Sequence, residues 1–88
     1  RIVGMAIVTL TPEAAEQLDG LNNPIHSRVL RLLIRLEQWP DVSGAKPLSG
    51  ELAGRHRLRT GDYRVQFYAY GESVIVEKIG HRDKFYDV

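Results

Sequence analysis

The stretch RHRLRTGDYRVQFYAYGESVIVEKIG, residues 55–80, decides the fold of this 88-residue chain. Apolar and polar residues alternate along it, and two short turn-forming runs, Thr60-Gly61-Asp62 and Gly71-Glu72, divide it into three parts. Alternation with a period of two is typical of half-buried strands, and short glycine-containing runs are typical of hairpin turns. The stretch therefore predicts an antiparallel meander of three strands, at about residues 55–59, 63–70 and 73–80.

Arginines occupy alternate positions in this meander. Because side chains two residues apart on a strand point to the same face, Arg55, Arg57 and Arg59 are expected to share one face. If Thr60-Gly61 forms a two-residue turn, Arg64 on the next strand stands opposite Arg57. Like charges at such short range repel, and a fold tolerates them most readily where a polyanion binds. The pattern predicts a phosphate-binding face.

The first half of the chain predicts one strand and two helices. Residues 2–10 are mostly apolar, and Thr11-Pro12-Glu13 has the residue types of a helix start, with Thr11 as the N-cap. This helix ends around Asp19-Gly20, and Pro24 opens a second helix that Trp39-Pro40 closes. We expect a single α+β domain over residues 1–88, with a helical hairpin packed on a small twisted, mainly antiparallel four-stranded sheet in the order β-α-α-β-β-β. Residues 41–54 are expected to form a long loop.

Composition narrows the class of protein. The chain has no cysteine, which excludes a disulfide framework and a thiolate metal site. Carboxylates and histidines do not cluster at metal-ligand spacing, so no metal and no cofactor are expected. No run approaches about 20 apolar residues, and residues 1–10 lack the long apolar segment of a signal peptide, so we expect a cytoplasmic protein without a membrane partner. Nine arginines against three lysines favour phosphate recognition, because the guanidinium group binds phosphate in a bidentate manner.

Three motifs in the second half resemble one toxin family. The run KPLSGELAG at residues 46–54, the run LRTGDYRV at residues 58–65 and the run IGHR at residues 79–82, followed by Tyr86, resemble the RelE branch of the RelE/ParE toxins. The resemblance covers essentially the whole chain. It implies the toxin component of a type II toxin-antitoxin system, a ribosome-dependent endoribonuclease that cleaves mRNA in the A site. The implied partners are a cognate antitoxin protein, in a toxin-antitoxin hetero-oligomer, and the ribosome with its mRNA.

The same resemblance implies the reaction and its residues. The ribose 2′-hydroxyl attacks the adjacent phosphate without a metal ion, which requires a base, a cation for the developing negative charge and an acid. An arginine stays protonated at any useful pH, so Arg55 and Arg57, which stand where the family often has lysines, cannot serve as the base. Proton transfer then falls to Tyr86 or His81. The resemblance implies Arg57, Arg64, Arg82 and Tyr86 as catalytic residues, and His81 is added as a candidate because its unperturbed pKa suits proton transfer. It implies Arg55, Arg57 and Arg64 as RNA- and phosphate-binding residues, to which Arg59 is added because it shares their face.

Two other functions stay open on the sequence. The chain could be a ParE-like inhibitor that binds DNA gyrase, or a catalytically degenerate toxin that acts only as a complex or repressor component. Together, Arg64, Arg82 and Tyr86 favour the nuclease, since a gyrase binder needs no phosphate-binding arginines beside a terminal phenol. Two further aromatic residues, Tyr68 and Tyr70, either stack on RNA bases or are ordinary strand aromatics. His56 alternates with the arginines and is expected on the core side.

Overall fold

The computed structural model describes residues 5–85, which form one sheet with helices packed on it. The five strands lie in the order β1-β5-β4-β3-β2, with β1 parallel to β5 and the other neighbours antiparallel. The strands are β1 (Ile7–Leu10), β2 (Lys46–Pro47), β3 (Arg55–Thr60), β4 (Tyr63–Tyr70) and β5 (Ser73–His81). The helices are α1 (Pro12–Asp19), α2 (Ile25–Arg35) and α3 (Arg82–Phe85), and short 3₁₀ turns lie at Leu36–Gln38 and Gly50–Leu52. Within residues 5–85, no helix combines the length and the apolar character that crossing a membrane requires.

Helix α1 begins where the sequence predicts. The Thr11 hydroxyl oxygen accepts a hydrogen bond from the Ala14 backbone N–H at 3.1 Å, which satisfies one of the free donors of the first turn. Farther along the helix, the Gln17 side-chain oxygen accepts the backbone N–H of Ile79 at 2.7 Å. This bond attaches α1 to β5 and fixes the helix against one face of the sheet.

The hydrophobic core lies between this face and the two longer helices. Helix α2 contributes the buried residues Val29, Leu32 and Leu33, whose spacing places them on one side of the helix. The strand residues that meet the helices are Leu58, Val65, Phe67, Val74, Val76 and Ile79. His56 also lies on the core side, as predicted, with its ring centroid 4.7 Å from that of Trp39. Because the helices cover this face, the arginines are left on the opposite one, which we call the arginine face.

The α+β class and the three-strand meander are confirmed, but the prediction of four strands is wrong. A fifth strand, β2, lies within the segment predicted as a loop and pairs with β3, with Lys46 opposite Arg57 and Pro47 opposite His56. Two residues are too few to show alternation, and proline argues against a strand except at a sheet edge, which is where β2 lies. The structure also has a third, short helix, α3, which follows β5 and was not part of the predicted helical hairpin.

The register of the β3–β4 hairpin also differs from the prediction. The two-residue turn is Gly61-Asp62, because Thr60 pairs with Tyr63. Gly61 has a φ of 58°, in the left-handed region that glycine enters at low cost. Moving the turn by one residue moves the pairing by two, so Arg64 stands opposite Arg59 and Arg57 stands opposite Gln66. Two arginines still face each other, but they are a different pair.

A β-bulge in β5 changes what reaches the arginine face. Gln66 pairs with Lys78 while the next residue, Phe67, pairs with Val76, which leaves Glu77 as an extra residue in β5. Val76 is buried in the core, whereas the Glu77 carboxylate and the Lys78 ammonium both contact groups on the arginine face. The bulge therefore places one acidic and one basic side chain beside the predicted phosphate-binding residues.

Candidate functional site

A shallow groove on the arginine face is lined almost entirely by cations. It has a volume of about 400 Å³ and is lined by Gly44, Lys46, Arg57, Arg59 and Arg64. The short strand β2 brings Lys46 beside Arg57, and the hairpin brings Arg59 opposite Arg64. No carboxylate lines it among the described residues. Four like charges around one depression favour an anion such as a phosphodiester, which relieves their repulsion.

The two inner arginines of this cationic groove are held by neighbouring groups. Arg64 donates from Nη1 to the carbonyl oxygen of Gly61 at 3.1 Å, so the hairpin turn orients its guanidinium. Arg57 lies near Gln66, with Nη2 3.4 Å from the side-chain oxygen, and its guanidinium carbon is 5.2 Å from the centroid of the Phe85 ring. These contacts orient both guanidinium groups at the groove.

Arg55 shares the face but does not line the groove. Its Nε donates to Glu77 Oε2 at 2.7 Å, and its guanidinium lies 5.1 Å from the centroid of the Tyr68 ring. The hydrogen bond and the charge of Glu77 raise the pKa of Arg55 above its ordinary value. The same carboxylate oxygen accepts from Gln66 Nε2 at 2.9 Å. The structure thus separates Arg55, whose charge is largely balanced, from Arg57, Arg59 and Arg64, which it brings together.

Sequence reasoning missed Glu77 and Lys46 as members of this region. The signal for Glu77 was present: core residues fall on even numbers at Val74 and Val76 but on an odd number at Ile79. Such a change of phase within one strand indicates a bulge. The signal for Lys46 was weaker, because only its pairing with β3 places it at the groove.

His81 lies on the other side of the sheet from the groove. His81 pairs with Tyr63, and residues paired across strands share a face. Arg64 follows Tyr63 in β4, so its side chain points to the opposite face. The rings of His81 and Tyr63 contact edge to face, with centroids 5.2 Å apart. Nδ1 of His81 accepts the backbone N–H of Asp83 at 3.0 Å. His81 is therefore engaged in ending β5 and starting α3.

Arg82 also does not line the cationic groove. Arg82 Nε lies 3.7 Å from Asp62 Oδ1 and 3.8 Å from Asp83 Oδ1, so two carboxylates border its charge at the turn end of the hairpin. Tyr86 lies outside the described residues. Phe85, which precedes Tyr86 in the chain, is buried on the arginine face and contacts Arg57 and Lys78.

The groove can bind and stabilise negative charge, but the side chains that line it within residues 5–85 offer no proton acceptor at neutral pH. Lysine and arginine are both protonated there. Among residues 5–85, no group of three or more histidine, aspartate or glutamate side chains is arranged to hold a metal ion.

Comparison with known proteins gives relatives in structure only. No family model and no curated protein sequence matches the chain. A chain of the toxin-antitoxin complex RelBE2 from Mycobacterium tuberculosis matches with 28% identity and a TM-score of 0.77, covering 93% of this chain and 95% of that one. The isolated RelE toxin of E. coli matches with 12% identity and a TM-score of 0.73, covering 86% and 83%. A chain of the RelB-RelE complex from Methanococcus jannaschii matches with 18% identity and a TM-score of 0.72, covering 90% and 95%.

Proposed function

We propose that this chain, which has the fold and the sequence motifs of a RelE/ParE-type toxin, acts as a ribosome-dependent endoribonuclease. The resemblance drawn from its sequence is confirmed by the three structural neighbours. Two of them were solved as toxin-antitoxin complexes, which supports an antitoxin protein as the partner of this chain. The compartment in this proposal is the cytoplasm. The substrate in this proposal is mRNA in the ribosomal A site.

The observation that carries the proposal is the cationic groove. Cleavage of RNA by its own 2′-hydroxyl passes through a phosphorane with more negative charge than the starting diester. Groups that are already oriented toward this charge stabilise it more than they stabilise the substrate, and so accelerate the reaction. Arg57 and Arg64 are held in this way by Gln66 and by the Gly61 carbonyl, and Lys46 and Arg59 add positive charge at the rim.

The reaction needs two proton transfers besides charge stabilisation. A base removes the proton of the 2′-hydroxyl as its oxygen bonds to phosphorus, and an acid protonates the 5′-oxygen as its bond to phosphorus breaks. The products are a 2′,3′-cyclic phosphate and a 5′-hydroxyl. Tyr86 stays the proposed proton-transfer group, as the resemblance to the toxin family implies, and it lies outside the described residues. The place of His81, on the opposite side of β5 from the groove, makes it the weaker candidate, and Arg82 would have to leave Asp62 and Asp83 to contribute.

One observation favours a second candidate function. Every charged side chain that lines the groove is a permanent cation, so the chain could bind RNA or an acidic antitoxin segment without cleaving. In that case it would act only as a component of a toxin-antitoxin complex.

The deciding experiment is cleavage in a purified translation system. We expect cuts at the A-site codon of a defined mRNA when ribosomes are present, mapped by primer extension, and negligible cleavage of the same RNA without ribosomes, with or without Mg²⁺. No described residue of the shallow groove holds a 2′-hydroxyl in line with its phosphate, so the ribosome must supply that geometry. Arg64→Ala should lower the cleavage rate by about 10²–10³-fold, while Arg31→Ala, at an exposed position on α2, serves as the matched control.

The other possible outcomes argue against the proposed mechanism or favour a different function. Rapid, chelator-sensitive cutting of free RNA would contradict the proposed mechanism. Ribosome binding without cleavage would favour the inactive complex component. Inhibition of DNA gyrase supercoiling, with no effect on translation, would favour the ParE-like alternative.

A further inference from the structure

We infer that Tyr68 and Tyr70 form a platform on which RNA bases stack, next to the cationic groove on the arginine face. The inference rests on the proposed function for the identity of its ligand, a single-stranded RNA. It adds a base-binding subsite to a site that otherwise contacts only phosphates.

The two tyrosines lie on the arginine face. Alternate residues of β4 point to the same side, so Tyr68 and Tyr70 follow Arg64 and Gln66 along one face. The guanidinium of Arg55 lies 5.1 Å from the Tyr68 ring centroid, which places that ring on the side of the arginines. Tyr70 is four residues beyond Gln66, and Gln66 stands opposite Arg57. At about 3.3 Å per residue, Tyr70 is about 13 Å along the strand from the level of Arg57.

The two rings differ in how they are held. Tyr68 is half-buried and has Arg55 over its ring, and Arg55 is in turn fixed by its 2.7 Å bond to Glu77. Arg55 stands opposite Tyr68 on β3, so the ring is oriented from the neighbouring strand. Tyr70 is 77% exposed, which is the highest value among the exposed large hydrophobic residues within residues 5–85. Its ring is therefore open to a flat partner.

Neighbouring apolar surface extends the platform. Tyr70 pairs with Ser73, and Ser73 pairs with Ile7 of β1, whose side chain is 60% exposed. Residues paired across strands share a face, so Ile7 lies on the same side as the tyrosines. A ring beside exposed aliphatic surface suits a nucleobase, which presents an apolar face and carries its phosphate at the edge.

Charge favours RNA over a neutral ligand. The strand residues of the arginine face provide six cations and one carboxylate, Glu77, which Arg55 already contacts. Those cations are Lys46, Arg55, Arg57, Arg59, Arg64 and Lys78. A cationic surface with adjacent aromatic rings is how many proteins bind single strands, with phosphates on the cations and bases on the rings. Stacked nucleotides rise about 3.4 Å each, so the 13 Å between groove and platform corresponds to about four nucleotides or fewer.

The test compares two labelled oligonucleotides of about eight nucleotides, within the usual footprint of such sites. Both have non-cleavable 2′-O-methyl riboses, and one lacks its bases. Binding to the full-length chain is measured by fluorescence anisotropy at low salt. We expect Tyr70→Ala to weaken binding of the normal oligonucleotide at least about fivefold and to leave binding of the abasic one unchanged. Tyr70→Phe keeps the ring and should bind like the parent.

Arg64→Ala separates this inference from the proposed function. It should weaken binding of both oligonucleotides equally, because a phosphate contact does not depend on the base. If Arg64→Ala weakens binding and Tyr70→Ala does not, the stacking platform is wrong and the phosphate groove stands. An equal loss of both oligonucleotides in Tyr70→Ala also overturns stacking. If neither variant changes binding, or if Tyr70→Ala weakens only the binding of an acidic antitoxin peptide, the face does not bind RNA as inferred here.

Discussion

Replacing Glu77 with alanine should lower the stability of the protein and strengthen its binding to RNA at the same time. The Glu77 carboxylate oxygen Oε2 accepts hydrogen bonds from Arg55 Nε at 2.7 Å and from Gln66 Nε2 at 2.9 Å. Gln66 is only 7% exposed, whereas the Arg55 side chain is 37% exposed. The two bonds therefore stabilise the folded protein by different amounts, because one involves a buried amide and the other a guanidinium near solvent.

The expected loss of stability follows from these exposures. A buried amide that loses its acceptor costs about 1–2 kcal/mol, because water does not reach it freely. The ion pair with Arg55 is partly screened by solvent and contributes about 1 kcal/mol or less. The total is about 2 kcal/mol, which for a domain of this size corresponds to a melting temperature lower by about 8–16 °C.

The expected gain in binding follows from charge. Without Glu77, the Arg55 guanidinium is released on the face where the phosphates are proposed to bind. Each additional phosphate contact on a single strand steepens the slope of log K against log salt by about 0.7. The variant should therefore bind the 2′-O-methyl oligonucleotide more tightly at low salt, with a slope larger by about that amount.

Thermal unfolding followed by circular dichroism and anisotropy titrations at several salt concentrations measure the two effects. Glu16→Ala is the control, because it removes a carboxylate from an exposed position on α1 and should change stability by no more than about 0.5 kcal/mol. A melting temperature of Glu77→Ala equal to that of the parent protein, or a salt slope equal to that of Glu16→Ala, would refute this prediction.

Three further substitutions test the proposed reaction. Arg64→Ala should keep the circular dichroism spectrum of the parent and lower the rate of A-site cleavage, measured by primer extension, by about 10²–10³-fold; a folded variant that cleaves at the parent rate would remove the phosphate-groove argument. Tyr86→Phe removes one hydroxyl and should lower the single-turnover rate by about 10²-fold or more with ribosome affinity unchanged; an unchanged rate would transfer the role of base to His81 or to the ribosome. Arg57→Lys keeps the charge and restores the residue type common in the family, so cleavage should persist or rise in the same assay, and loss of activity would show that the guanidinium fork is required.

Much of the fold could be predicted from the sequence because it depends on local patterns. Alternation with a period of two placed the three long strands within one residue of their observed ends. The hydroxyl of Thr11 followed by Pro12 marked the start of α1. The same alternation put Arg55, Arg57 and Arg59 on one face. Each of these features depends on residues a few positions apart, whose geometry the chain itself dictates.

The composition of the groove depended on tertiary pairing. Strand β2 exists only because Lys46 and Pro47 meet β3, and this pairing brings Lys46 to Arg57. The turn at Gly61-Asp62, in place of Thr60-Gly61, decided that Arg64 faces Arg59.

The sequence by itself determined the α+β class, the strand meander and which arginines share a face, because those follow from the direction of successive side chains along one segment. Only the tertiary structure decided which of them act together. The bulge at Glu77 balances the charge of Arg55, and the end of β5 carries His81 away from the groove. Moving the hairpin turn by one residue shifts every pairing by two and leaves each side chain on its own face, so the alternation along one segment does not distinguish the two registers.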